Sequence, residues 1–144
     1  MARDLFTKED EKAIVDAIKE AELNTSGEVQ VHIESHCKGN VLDRAAKVFS
    51  ILKMQKTKLR NGVLFYLAVK DHKFAILGDI GINQLTTDDF WDVIKDKMSE
   101  YFKDGNLTSG ICEGVKMAGE QLKSHFPFQE DDVNELPDEV SFGD

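Results

Sequence analysis

Apolar residues recur every three or four positions through Ala13, Ile14, Ala17, Ile18 and Ala21, and this spacing predicts a first helix over about residues 8 to 23. Thr7, followed by Lys8, Glu9 and Asp10, supplies a cap with acids in the first turn. "NTSG" (Asn24 to Gly27) ends that helix, and the period then drops to two. Val29, Val31 and Ile33 alternate with Gln30, His32 and Glu34, which predicts a strand over Glu28 to Ser35 with one polar face. Asn40 can cap a second helix over about 41 to 54, with Leu42, Ala45, Ala46, Phe49 and Leu52 as its buried stripe.

"VLFYLAV" (Val63 to Val69) is apolar throughout, as expected of a central strand covered on both faces. "KDH" (Lys70 to His72) is short enough for a hairpin that returns through Phe74 to Leu77. Thr86 or Thr87, with Asp88 and Asp89, is placed to cap a third helix whose Trp91, Ile94, Met98, Tyr101 and Phe102 share one side. After the turn "KDGN", Thr108 is placed to cap a fourth, with Ile111, Cys112, Val115, Ala118 and Leu122 as its stripe. The order of elements predicts an α/β fold, a three-layer α/β/α sandwich with a small mixed sheet of about four strands. Residues 1 to 126 read as one domain and 127 to 144 as an acidic tail.

That tail, "PFQEDDVNELPDEVSFGD", holds seven acids and no Lys or Arg, so the net charge of -9 falls to -2 in the body. A near-neutral body has no basic stripe for phosphates or anionic lipid, and no nucleic acid partner or membrane insertion is expected. No apolar run is long enough to span a bilayer, and the first residues lack a signal-peptide pattern, so a cytoplasmic protein is expected, and a monomer is the default expectation. Cys37 and Cys112 are too few for a disulfide framework and read as reduced thiols. The mix of acids with Leu136, Val140 and Phe142 suits a tail that orders on a protein partner, or one that solubilises or folds back on its own domain.

A strand, a crossover helix and a second strand usually give parallel neighbours. With the hairpin reversing the chain, Gly27 and Glu28, Asn61 and Gly62, and Gly78 and Asp79 should meet at one edge of the sheet. Hard cations need six or more oxygens, and Asn61, Asp79, Asp88 and Asp89 could supply the side-chain part of a calcium or magnesium site there. Capping and turn formation account for the same residues without a metal. The opposite edge gathers His36, Cys37, Asp71 and His72, with His32 nearby, a set from which a zinc site is imaginable. Catalytic motifs are absent: there is no phosphate-binding glycine loop or nucleophile elbow, and "CKGNVLDR" puts Asp43 where a thiolate phosphatase needs its arginine. Phosphate chemistry would need a metal, with Arg60 as a candidate clamp.

"RNGVLFYLAVKDHKFAILGDIGIN", with "AAKVFSILKM" before it and "FKDGNLTSGICEGVKMAGEQL" after it, resembles the TPM domain family, often labelled TPM phosphatase. The resemblance runs from about Leu5 to Phe126, and "NELPDEVSF" is similar to the tail of a soluble bacterial branch. It implies an α/β/α sandwich, divalent cation binding in some members, and the acid phosphatase activity described for plant thylakoid-lumen relatives linked to photosystem II repair. A further relative is a non-enzymatic auxiliary protein of a nematode acetylcholine receptor. Two positions depart from the family pattern: Arg60 stands where an acid often precedes the Asn-Gly, and Asn83 stands where a Glu is common. Asp79 is the carboxylate that could replace the missing one.

Overall fold

Alternation along the central strand sorts its side chains into two cores. Val63, Phe65 and Leu67 join Val29, Val31 and Ile33 against one set of helices, while Leu64, Tyr66 and Ala68 face the other way. The computed structural model describes residues 1–86, 88–128 and 136–143, without the side chain of Asp88. In chain order the elements are α1 (Lys8–Glu22), β1 (Glu28–Glu34), α2 (Val41–Ile51), β2 (Gly62–Ala68), β3 (Lys73–Gly78), α3 (Ile80–Asn83), α4 (Asp88–Lys103), α5 (Leu107–His125) and β4 (Val140–Phe142). The strand order is β3-β2-β1-β4, with β1 parallel to β2 and β4, and β3 antiparallel to β2. Ile14 and Ile18 of α1, Ile94 and Met98 of α4, and Ile111 and Val115 of α5 cover one face. Ala45, Val48 and Phe49 of α2 cover the other, completing the three layers.

Two helix starts follow from the sequence as expected. Thr7 Oγ1 accepts from Asp10 N at 3.0 Å while Asp10 Oδ2 accepts from Thr7 N at 2.9 Å, and Asn40 Oδ1 accepts from Leu42 N and Asp43 N at 2.8 and 3.1 Å. The fourth major helix differs: α5 starts at Leu107 with Asn106 at the cap position, so Thr108 lies in the first turn. Gly105 and Asn106 return their amides to Phe102 and Tyr101 at the end of α4, and the chain is ready to re-enter a helix two residues early. Thr86 donates to Ile82 O at 3.1 Å, which ties it to the end of α3, and Thr87 lies outside the described residues.

α2 departs from its expected face. Leu42 and Ala46 are exposed, and the buried line is Ala45, Val48 and Phe49. The reason is Arg44, which the helix turns toward the sheet. The helix also stops at Ile51, because Lys53 adopts a left-handed backbone (φ 58°) and Met54–Lys56 forms a separate 3-10 turn.

The largest departure is β1. Its polar face does not meet water: Glu28, Gln30, His32 and Glu34 are all buried. Residues 136–143 cover that face and then extend the sheet. Leu136 N donates to Glu28 at 3.0 Å, Gln30 Nε2 donates to Pro137 O at 3.0 Å, and β4 pairs Val140, Ser141 and Phe142 with Val31, His32 and Ile33. Leu136 enters the α2-side core, and Phe142 packs on Phe6 with the Arg3 guanidinium 4.7 Å from its ring centre. This described part of the tail therefore folds back on its own domain.

At the end of α1, burial and then a hydrogen bond with Asp138 push the Glu22 carboxyl up to about 10, so it is neutral at pH 7. An acid whose pKa rises on folding stabilises the fold below its unfolded value, and the contribution is lost as pH climbs toward 10. Glu22→Gln should therefore flatten the decline in Tm between pH 6 and 10, as measured by circular dichroism. Leu136→Ala should lower stability by about 2 to 3 kcal/mol in urea unfolding, the usual cost of emptying a buried leucine site.

Candidate functional site

The register brings together the residues expected at the amino-terminal edge of β1 and β2. Glu28 pairs with Gly62 and Val63 with Gly78, so Asn61 and Asp79 flank the same end of the sheet. Gly81 N donates to Arg60 O at 2.9 Å, and a Cβ on Gly81 would sit 2.2 Å from Leu59 O. Only glycine permits this backbone contact between the Asn-Gly loop and the Asp79 turn.

Asn61 is 1% exposed. Its backbone amide donates to Thr57 Oγ1 and its Nδ2 to Ser26 Oγ at 3.3 Å, while its Oδ1 is buried with no partner among the described residues. An orphaned buried oxygen of this kind costs about 1 to 3 kcal/mol, which a bound water or cation would relieve. Asp79 caps α3, its Oδ1 accepting from Ile80 N at 2.8 Å. It also takes both prongs of Arg60, Nε at 2.7 Å and Nη2 at 2.8 Å. Arg60 holds a left-handed backbone (φ 52°), uncommon for its residue type, beside this pair. Asp89 is exposed in the first turn of α4, and Asp88 opens that helix with its side chain outside the described set.

As ligands for calcium or magnesium, Asn61 and Asp79 would fit on one condition. Asn61 Oδ1 is available, whereas the Asp79 carboxylate is neutralised by Arg60. The Arg60 side chain is 48% exposed, so water can receive it if a cation takes its place. Among the described residues, no three of His, Cys, Asp and Glu gather as a metal-binding group.

At the carboxyl-terminal edge, His36, Cys37 and Asp71 of the imagined zinc set have other tasks, and His72 is exposed in the hairpin with a left-handed backbone (φ 53°). Asp71 accepts from the Cys37 amide at 2.7 Å and pairs with His36 Nδ1 at 2.8 Å, while Lys73 donates to the Cys37 and Gly39 carbonyls at 3.2 Å. Cys37 is buried and free, and Cys112 is half-buried and free. The arrangement clasps the β1–α2 loop onto the β2–β3 hairpin.

Beside that clasp lies a network that the sequence showed only as an alternating pattern. Glu34 receives both prongs of Arg44, Nε at 3.1 Å and Nη2 in a shorter contact. Tyr66 Oη donates to Glu34 Oε2 at 2.5 Å, and His32 Nε2 lies 3.1 Å from Oε1. The carboxylate can only accept, so Nε2 carries the proton and the Ser141 hydroxyl donates to His32 Nδ1 at 2.8 Å. Burial drives the Glu34 pKa up, but hydrogen bonds from Arg44, Tyr66 and His32 outweigh it and hold the carboxyl at about 2. Burial lowers His32 against the opposing pull of Glu34, so the ring is neutral at pH 7. Burial, then the bond to Glu34, raises Tyr66 and keeps it a donor.

An open mixed sheet between helical layers, with glycine-bearing turns meeting at one edge, defines the class as an α/β/α sandwich domain. The sequence pattern of the TPM domain matches residues 2–121, and the chain belongs to this family. It is similar to the BA42 protein of the psychrophilic bacterium Bizionia argentinensis, with 51% identity over 96% of this chain and 95% of that one, and a TM-score of 0.90. Two more distant structures share the fold. The N-terminal domain of the cg2496 protein from Corynebacterium glutamicum has 13% identity and a TM-score of 0.67, covering 90% of this chain and 81% of that one. The N-terminal domain of a P. gingivalis protein has 20% identity and a TM-score of 0.69, covering 87% and 83%. No curated protein matches. Among the described residues no helix is long and apolar enough to cross a membrane.

Glu34→Gln leaves Arg44 without its buried counter-charge, and should cost about 3 kcal/mol in urea unfolding at pH 7. Because folding lowers the Glu34 pKa, its contribution is complete above the unfolded value of 4.5 and fades as pH falls toward 2. The stability gap between the two proteins should therefore narrow across that interval.

Proposed function

We propose that this TPM domain binds a divalent cation, calcium or magnesium, at the amino-terminal edge of the sheet. Asn61 and Asp79 are the central ligands, and Asp88 and Asp89 are drawn in from the start of α4. The observation that carries this reading is the buried, unpartnered Oδ1 of Asn61, in the loop whose backbone meets the glycine-bearing turn after Asp79. Arg60 then acts as a resident counter-charge that holds Asp79 until a cation displaces it. Arg60 serves the cation edge in this reading, as the partner of Asp79, and the reading is of a binding domain rather than a phosphatase. Two unbonded thiols suit a reducing compartment, and we place the protein in the cytoplasm as a monomer. The folded-back residues 136–143 favour a tail that completes the domain over one that waits for a protein partner.

Calcium titration followed by ¹H–¹⁵N NMR should shift amides in residues 60–62 and 78–90 in a saturable way. Arg60→Ala should tighten binding about fivefold by removing the competing partner, and Asp79→Asn should weaken it about tenfold or more. Shifts confined to the acids of residues 127–144, or none at all, would sink the proposal.

A further inference from the structure

An open cavity of about 810 Å³ lies at the opposite end of the sheet, between the β1–α2 loop, the first turns of α2 and Gly143. It sits beyond the carboxyl ends of β1 and β4, parallel neighbours, which is where open α/β sheets ordinarily hold ligands. Its charge is unlike that of the whole chain. Lys38, Arg44 and Lys47 line it against Glu34 and Asp43, in a protein whose net charge is -9. Glu34 and Arg44 offset one another as an ion pair, which leaves Lys38 and Lys47 facing Asp43.

Arg44 is held from behind. Its bonds to Glu34 use Nε and Nη2, so they leave Nη1, and its side chain remains 34% exposed on the cavity wall. Glu34 is itself fixed, 6% exposed at the side chain and braced by Tyr66 and His32. Gly143 seals it from above: a Cβ there would stand 2.8 Å from Glu34 Oε1 and 3.1 Å from His32 Nε2, so only a bare backbone fits. A guanidinium oriented by a buried carboxylate loses little freedom when its remaining edge meets a planar or tetrahedral oxyanion.

We propose that this cavity is a binding site for a small oxyanion, a carboxylate or phosphate group on a small molecule, with Arg44 as the fork and Lys38 and Lys47 as the rim. It stands apart from the cation edge and does not depend on that reading.

The test is a ¹H–¹⁵N NMR titration of the full chain at constant ionic strength, with succinate in one arm and inorganic phosphate in the other. Saturable shifts centred on residues 36–47 and 143 are expected, and the anion that saturates at the lower concentration identifies the group the site prefers. The Lys38→Gln/Lys47→Gln double variant, which leaves the buried network intact, should weaken binding roughly fivefold. Arg44→Lys keeps the charge and loses the fork, and should weaken it about tenfold. Linear shifts spread over lysines elsewhere in either arm, or an affinity unchanged in the double variant, would overturn the proposal even if Arg44→Lys failed to fold.

Discussion

The structure depends on how one buried face is satisfied. β1 presents four polar side chains to a side of the sheet that is closed to water, and each needs a partner supplied from elsewhere. α2 supplies Arg44, β2 supplies Tyr66, and the last described residues supply backbone groups and Ser141. The demands of these four side chains fix the rotation of α2, the path of the tail and the register of β4. An apolar face could have accepted several helix rotations at similar cost. A carboxylate that must meet a guanidinium in two bonds accepts one.

Much of this fold was legible in the sequence because it rests on local rules. Helical period, strand alternation and the caps at Thr7 and Asn40 each depend on residues within a few positions, and the parallel placement of β1 and β2 follows from the helical crossover between them. Where the reading failed, the deciding partner was distant. Gln30, His32 and Glu34 alternate with apolar residues as a solvated strand would, and nothing nearby announces that Pro137 and Ser141 will cover them. Leu42 and Ala46 looked like core because the pull of Glu34 on Arg44 is invisible to a hydrophobic count.

The amino-terminal edge was legible in its assembly and illegible in its electrostatics. Asn61 and Asp79 meet there as strand direction requires. That Arg60 would turn back through a left-handed backbone to grip Asp79 is a matter of side-chain choice, which spacing does not encode. The two ends of the sheet thus carry related devices, each an arginine gripping a carboxylate. At one end the carboxylate is braced from behind by Tyr66 and His32. At the other it is shared with the cap of α3.

Gln30 and Pro137 lie 107 positions apart, and His32 and Ser141 lie 109 apart. During synthesis at roughly 5 to 20 residues per second, β1 therefore leaves the ribosome about 5 to 20 seconds before the residues that close over it. For that interval its apolar side can collapse onto α1 while its polar side must stay wet. The edge of β1 that β4 will occupy is then an open strand edge, available to any neighbouring chain. The charged face carries its own protection in that time, since hydrated Glu28, His32 and Glu34 discourage sticking until the proper strand arrives.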